Sequence, residues 1–305
     1  MKIVFMGTPE FAVPSLKILV ENNFDVVGVI TAPDKPKGRG KKLLGTPVKE
    51  YAESVNLNVL QPTNLKAPEF IEELRALEAD LQVVVAFRML PEVVWDMPKR
   101  GTFNLHASLL PQYRGAAPIN WAIINGEKET GATTFFLQHE IDTGNIIDQI
   151  KEPIHEDDSV GDLYGRLMNN GAKLVLDTVK KIESGTIQTS PQDESNELKS
   201  APKIHKETCE IKWEQPAEQV RNLIRGMSPY PAAWTRWNEK NFKIFKAVHA
   251  TEREVPALSP GQYHTDGKTF LSVQTGDGML DVLELQMEGK KRMLIEDLLR
   301  GYKFD

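Results

Sequence analysis

Asn104 and His106 stand two residues apart in the run Phe103-Asn104-Leu105-His106-Ala107-Ser108-Leu109-Leu110-Pro111, where the pattern is that of a buried strand end. In an extended segment, residues i and i+2 project to the same side. The amide and the imidazole can therefore address one small reacting group. A carboxylate, Asp142, lies in a separate glycine-marked loop, Glu140-Ile141-Asp142-Thr143-Gly144. An amine that attacks a small acyl carbon makes a tetrahedral oxyanion. Donors set at that oxygen stabilise it, and loss of one costs about 10²–10³ in rate. The amine must also lose a proton, which an imidazole or a carboxylate accepts directly or through water. Amide, imidazole and carboxylate cover those needs with no metal and no covalent nucleophile. Taken alone, Asn-x-His is more often an ordinary strand end with satisfied side chains.

The elements that must position these groups read as an α/β framework. Residues 2–6 form a short buried strand ending at Gly7. Thr8 is placed to cap the next helix, with Pro9 in its first turn and the helix running to Val20. Residues 24–30 and the nearly unbroken apolar run 81–87 read as strands, the second covered on both faces. A strand at 101–105 carries Asn104. Strands at 133–138 and 145–152 flank the Asp142 loop. Helices are expected at 47–55, 68–79, 119–125 and 161–184. Strand–helix alternation predicts a Rossmann-like, mostly parallel sheet with helices on both faces, and ligands near the carboxyl ends of its strands.

Composition shifts at residues 189–204, where Ser, Pro, Gln, Asp, Glu and Asn dominate and no apolar period is visible. That stretch reads as a linker between a catalytic domain at 1–188 and a C-terminal domain at 205–305. In the latter, short strands at 234–237, 241–248, 261–264, 269–274 and 279–286 alternate with Gly/Asp turns. They predict a small OB-like β-barrel.

The chain has 305 residues, a net charge of −6, and 40% hydrophobic and 26% charged residues, ordinary for a globular protein. The acidic balance argues against a protein that coats nucleic acid nonspecifically. A single cysteine, Cys209, excludes an internal disulfide and a four-cysteine zinc site. No apolar run is long enough to span a bilayer, and the opening residues do not make a secretory leader, so a cytoplasmic setting is expected. Gly7-Thr8-Pro9 is neither a dinucleotide fingerprint nor a P-loop, and the histidines show no zinc spacing.

One segment departs from the overall charge. Lys35, Lys37, Arg39, Lys41 and Lys42 face a single acid, Asp34, in residues 31–42, a local net charge of +4 (5 − 1). Such a run is often only solvated. Its glycines would also let backbone approach a phosphate closely. In the C-terminal region, Lys240, Lys243 and Lys246 lie around one expected strand, and Lys290, Lys291 and Arg292 form a turn-like cluster. The odd spacing of Lys243 and Lys246 would send them to opposite sides of a regular strand. Trp213, Trp234 and Trp237 read as core or linker packing.

The run from Asn104 to Ile119, Asn-Leu-His-Ala-Ser-Leu-Leu-Pro-Gln-Tyr-Arg-Gly-Ala-Ala-Pro-Ile, resembles the signature of the folate-dependent formyltransferases. Gly7-Thr8-Pro9-Glu10-Phe11-Ala12, the basic loop and Arg225-Gly226-Met227-Ser228-Pro229-Tyr230-Pro231 match the branch that acts on the methionyl ester of initiator tRNA. The resemblance implies a monomer that moves a formyl group from 10-formyltetrahydrofolate to an α-amine for translation initiation, without metal. By it, Asn104 and His106 address the formyl group, and Asp142 orients His106 or helps move a proton. Phe87, Arg88, Met89 and Leu90, with Ser108, Leu109, Leu110 and Pro111, surround the folate. The basic loop and Arg39 above all meet the tRNA. Phe87-Arg88 departs from the Tyr-Gly common among relatives, which points Arg88 at the pocket rim or the glutamate tail. Glycinamide ribonucleotide or an amino sugar as acceptor, and an RNA-binding module without activity, are the rival readings.

Overall fold

The computed structural model describes residues 1–37, 42–195 and 197–304. They divide into two compact units. The first comprises Met1–Gly115, Gly131–Glu152 and Tyr164–Lys199; the second comprises Ala116–Thr130, Pro153–Leu163 and Ser200–Asp305. The strands of the first unit are β1 (Lys2–Gly7), β2 (Asp25–Ile30), β3 (Lys35–Lys37), β4 (Lys42–Leu44), β5 (Val59–Leu60), β6 (Leu81–Val85), β7 (Thr102–His106), β8 (Arg114–Gly115), β9 (Glu129–Phe136) and β10 (Ile146–Pro153), the last two of which extend into the second unit. The helices are α1 (Val13–Glu21), α2 (Pro47–Ser54), α3 (Pro68–Ala76), α4 (Glu92–Trp95), α5 (Pro118–Ile124) and α6 (Val160–Ser184), with α5 in the second unit.

Among the described residues, seven strands form one sheet in the order β10-β9-β7-β6-β1-β2-β5. From β5 to β7 the pairs are parallel, and β9 runs antiparallel to β7. The chain builds outward from β1 through β2 to β5, then returns to lay β6 and β7 on the other side. The strand order therefore reverses beside β1, the place where sheets of this kind bind ligands past the carboxyl ends of their strands. Gly7 ends β1 there, and a Cβ on it would stand 2.6 Å from the Ala12 Cβ and 3.1 Å from the Val85 carbonyl oxygen.

Register shows which side chains share a face. Met6 pairs with Val84 and Val84 with Asn104, so these three lie on one side. Val4, Met6 and Val84 pack there with Phe70, Ile71 and Leu74 of α3 and Val94 of α4. Leu105 lies on the opposite side, against Gly171 of α6. The helices thus cover both faces, and every residue of β6 is buried. Gln82, a polar residue inside β6, accepts a hydrogen bond from Thr102 Oγ1 at 3.0 Å. That hydroxyl, which also lies 2.6 Å from the Trp95 carbonyl, meets the oxygen half of the buried amide.

Three local differences from the sequence-based expectation have physical reasons. Thr8 does not cap a helix: Pro9 takes the cap position of a 3₁₀ turn at Glu10–Ala12, and α1 starts only at Val13. The run 81–87 leaves the sheet after Val85, because Ala86 turns into the left-handed region at φ 48°. The charged stretch after Asp34 is not all loop, since β3 and β4 pair antiparallel with Lys35 opposite Leu44.

In the second unit the chain continues with β11 (Ser200–Ala201), α7 (Ala217–Met227), β12 (Ala233–Trp237), β13 (Lys240–His249), β14 (Tyr263–Thr265), β15 (Leu271–Gln274), β16 (Met279–Met287), β17 (Met293–Leu294) and α8 (Ile295–Leu299). Strands β12-β13-β16-β15-β14 form a curled antiparallel half-barrel, with β17 on β16. Its core contains Trp213, Trp237, Phe242, Ile244, Val273 and Leu285. Trp213 and Trp237 stack at 5.9 Å between ring centroids, which accounts for them as packing groups. Helix α5 lies against α7, where Asn120 Nδ2 donates to the Gly226 carbonyl at 2.8 Å. A Cβ on Gly226 would meet Ile124 Cγ1 at 2.7 Å, so glycine permits this approach. No described helix is long and apolar enough to cross a membrane.

Candidate active site

The last residue of β7 is His106, and the chain then folds through a compact loop to β8. The ring is 6% exposed. Its Nε2 lies 2.8 Å from the carbonyl oxygen of Tyr113. A carbonyl only accepts, so Nε2 carries the hydrogen and donates. The other nitrogen, Nδ1, faces Asp142 Oδ2 at 3.8 Å. Tyr113 presents its carbonyl from a left-handed backbone conformation, φ 60°.

Asp142 sits at the tip of the turn between β9 and β10, also left-handed at φ 57°. Its Oδ2 accepts from the Gly115 backbone N–H at 3.0 Å. The turn is tight because Gly144 has no side chain: a Cβ there would stand 1.7 Å from the Phe136 carbonyl oxygen. Phe136 N in turn donates to the Asn145 carbonyl at 3.1 Å. The carboxylate is therefore held by one backbone N–H on a turn that is itself fixed, with its side chain only 13% exposed.

Asn104 precedes His106 by two residues in β7 and projects from the same face, pairing with Val84 and Phe135. It is half-buried, and among the described residues nothing hydrogen-bonds its side-chain amide. An unengaged donor beside an oriented imidazole and a nearby carboxylate is an arrangement that can bind a developing oxyanion and move a proton.

The other expected site residues fall into distinct settings. Phe87 is half-buried, Met89 is 72% exposed and Leu90 is buried in the core beside α4. Arg88 is exposed, and its guanidinium donates to the carbonyls of Thr63 at 3.0 Å and of Pro62. Its Cζ lies 5.7 Å from the Phe87 ring centroid. Ser108 is fully buried and donates to the Gln112 carbonyl at 2.6 Å, so its hydroxyl shapes the loop. Leu110 is buried, while Leu109 and Pro111 are half-buried. Of the basic residues, Lys35 is exposed on β3, and Lys37 and Lys42 are paired opposite one another as the last pair of β3 and β4. Arg39 and Lys41 lie outside the described residues. The root of this hairpin is fixed by Asp34, which accepts from Lys49 Nζ at 2.6 Å and from Gln61 Nε2 at 2.7 Å.

In the second unit, Lys243 and Lys246 do not diverge as a regular strand would send them. Lys243 pairs with Gln286 and Lys246 with Glu284, so a bulge at Phe245 returns both lysines to one face. Arg292 joins that face through two hydrogen bonds to Glu284, at 2.5 and 2.6 Å.

Sequence reasoning missed three groups around His106 and Asp142. Two are backbone, the Tyr113 carbonyl and the Gly115 N–H, which residue type cannot reveal. The third is Gln192, in the stretch read as a linker. Its Nε2 donates to the carbonyls of Asp142 at 2.8 Å and Gly144 at 2.9 Å. The signal was a polar composition, which describes exposed chain and bound chain alike.

Comparison with known proteins agrees along the whole length. The formyl transferase family model matches residues 1–179, and the model of the formyl transferase C-terminal domain matches residues 203–303. A protein of Bacteroides fragilis named methionyl-tRNA formyltransferase is 55% identical over 99% of this chain and 95% of its own. One of the same name from Flavobacterium johnsoniae is 51% identical over 100% and 97%. Among solved structures, the sugar 3N-formyl transferase WlaRD shares the fold with a TM-score of 0.68 at 23% identity, over 95% of this chain and 99% of that one. HypX from Aquifex aeolicus, in complex with tetrahydrofolic acid, matches with a TM-score of 0.67 at 19% identity, over 100% of this chain and 48% of its own. With a mostly parallel sheet whose strand β7 ends in Asn-x-His and two matched domain models in sequence order, the chain belongs to the formyl transferase family, whose members are enzymes that transfer formyl groups.

Proposed function

We propose that this enzyme transfers a formyl group from 10-formyltetrahydrofolate to the α-amine of methionyl initiator tRNA. The observation that carries the reading is the 55% identity, over 99% of the chain, to a protein named methionyl-tRNA formyltransferase. A folate donor is supported by the tetrahydrofolic acid complex of HypX and by the presence of 5-N-formyl-THF in the WlaRD structure.

In this reading the unprotonated amine attacks the formyl carbon. A C–N bond forms, and the carbonyl oxygen becomes an oxyanion. The Asn104 amide donates to it, and His106 does so once Nδ1 has taken the proton released by the amine. Collapse breaks the bond from the formyl carbon to the folate nitrogen. The amine loses a proton and the folate nitrogen gains one, with Asp142 and His106 as the relay. The folate lies along Phe87, Arg88, Met89 and Leu90 and along Ser108 to Pro111. Met89 and Phe87 offer apolar surface there, and the buried Ser108 and Leu110 shape the wall from behind. Lys35, Lys37, Arg39, Lys41 and Lys42 contact the tRNA backbone. The division is a catalytic domain at 1–188, a linker at 189–204 and a tRNA-binding domain at 205–305, in a cytoplasmic monomer.

The test is a comparison of acceptors with one donor. Methionyl initiator tRNA, methionyl elongator tRNA and glycinamide ribonucleotide are each incubated with 10-formyltetrahydrofolate, and formylated product is measured. Initiator tRNA is expected to react at least about 100-fold faster than the other two, a discrimination of the size that several lost polar contacts bring. Preference for the ribonucleotide would overturn the reading.

A further inference from the structure

Gln192 uses both halves of its side-chain amide at once. Its Nε2 holds the carbonyls of Asp142 and Gly144, at 2.8 and 2.9 Å. Its Oε1 accepts from Arg114 Nε at 3.0 Å and from Nη2 at 2.6 Å. Arg114 directly precedes Gly115, whose N–H donates to Asp142 Oδ2. One amide therefore spans the two loops that meet at the His106 ring.

The segment that carries Gln192 is itself pinned. Ser190 and Ile146 exchange backbone hydrogen bonds at 2.8 and 3.0 Å, which fixes the start of β10. Glu194 pairs with Arg114 at 2.6 Å. The Lys199 carbonyl accepts from Tyr113 N at 2.6 Å, behind the carbonyl that receives His106. Ser190, Gln192, Glu194 and Lys199 thus brace the segments on both sides of the histidine, the one that carries the Tyr113 acceptor and the turn that carries Asp142.

We propose that Gln192 is a positioning residue for formyl transfer, which acts through Asp142 by setting its distance from His106. The inference rests on the reading of Asp142 as a participant in the reaction. Asp142 holds a left-handed conformation that aspartate tolerates better than most residues but less well than glycine, and Gln192 ties the turn from outside through two of its carbonyls. A displacement of about 1 Å in a catalytic group costs about 10²-fold in rate. Gln192 supplies two donors in a fixed plane at the site where that displacement would begin.

The experiment measures kcat and KM for donor and acceptor, together with thermal midpoints, for the full chain and for Gln192→Glu, Gln192→Ala, Asp142→Asn and the double variant Gln192→Glu/Asp142→Asn. Gln192→Glu keeps the size and the acceptor for Arg114 but sets an oxygen against two carbonyl oxygens. It carries the test if Gln192→Ala does not fold. The expected result is a kcat lowered about 10- to 100-fold in Gln192→Glu, with each KM within about twofold of wild type. The double variant should be no slower than Asp142→Asn alone, because both changes act on one group. A lowered thermal midpoint with wild-type kcat would make Gln192 merely structural and overturn the proposal. Losses that multiply in the double variant would also overturn it, by placing its effect elsewhere. If Asp142→Asn alone keeps full kcat, the underlying assignment of Asp142 fails, an outcome distinct from failure of Gln192→Glu to slow an enzyme that needs Asp142.

Discussion

The Nε2 of His106 donates to the carbonyl of Tyr113 at 2.8 Å, and that bond leaves Nδ1 as the ring atom facing Asp142, 3.8 Å away. The imidazole is thereby fixed in rotation and in tautomer by backbone, not by the carboxylate. Replacement of His106 by Ala should lower kcat about 10²- to 10⁴-fold. Replacement of Asn104 by Ala should cost about 10²–10³. Both should leave acceptor tRNA affinity within about twofold, as measured by filter binding, because neither is expected to contact phosphate. A parallel loss of affinity would place these residues in the RNA interface instead.

Asp142→Asn separates charge from shape. The asparagine oxygen can still accept from the Gly115 N–H, so the turn is retained while the negative charge near Nδ1 is gone. A fall of about 10²-fold in kcat is expected, with an unfolding midpoint close to wild type. Wild-type turnover in steady-state formylation would remove Asp142 from the reaction.

Gly144→Ala should damage the same turn by a steric route. The new methyl would press on the Phe136 carbonyl from 1.7 Å, and backbone must shift to relieve it. Overpacking of this kind destabilises by about 1–3 kcal/mol. Urea titration checks the stability, and kcat should fall with it because Asp142 moves. A variant as stable and active as wild type would show that the turn tolerates the shift.

Arg39→Ala tests the basic hairpin. The exposed Lys35 and the fixed root at Asp34 support a charged projection from the end of β2. If Arg39 contacts one phosphate, the slope of log affinity for initiator tRNA against log salt should fall by about one. Turnover at saturating tRNA should change little. Unaltered affinity at every salt concentration would exclude the contact.

That root also has a pH signature. Hydrogen bonds from Gln61, then from Lys49, hold the Asp34 carboxyl below the ordinary carboxylate range. A group with a depressed folded pKa stabilises above its unfolded pKa of about 3.9, and the contribution disappears as pH falls through the folded value. The stability gap between wild type and Asp34→Asn should therefore be constant above about pH 5 and close progressively below about pH 4. A gap that widens on acidification would contradict the sign.

Particular elements show what was legible. The apolar run at 81–85 announced a strand covered on both faces, and β6 is such a strand. Asn104 and His106 announced a shared face through their spacing, and register confirms it. Lys243 and Lys246 misled because a bulge changes parity, and a bulge is set by how two strands close over a core rather than by the residues alone. In the polar stretch after residue 189, composition does not distinguish a free segment from one whose polar groups are bonded to other chain segments, as Gln192, Glu197 and Lys199 are.

The linear order of residues determined the alternation of strands and helices, the half-barrel that follows, and the residue types available for acyl transfer. All of these depend on local periodicity and side-chain chemistry. The approach of Asp142 to His106, the turning of Nδ1 toward it, and the reach of Gln192 across 50 residues to the Asp142 carbonyl were decided only in three dimensions. Each depends on a backbone carbonyl or N–H brought close by folding, and the main chain offers the same groups at nearly every position whatever the side chain.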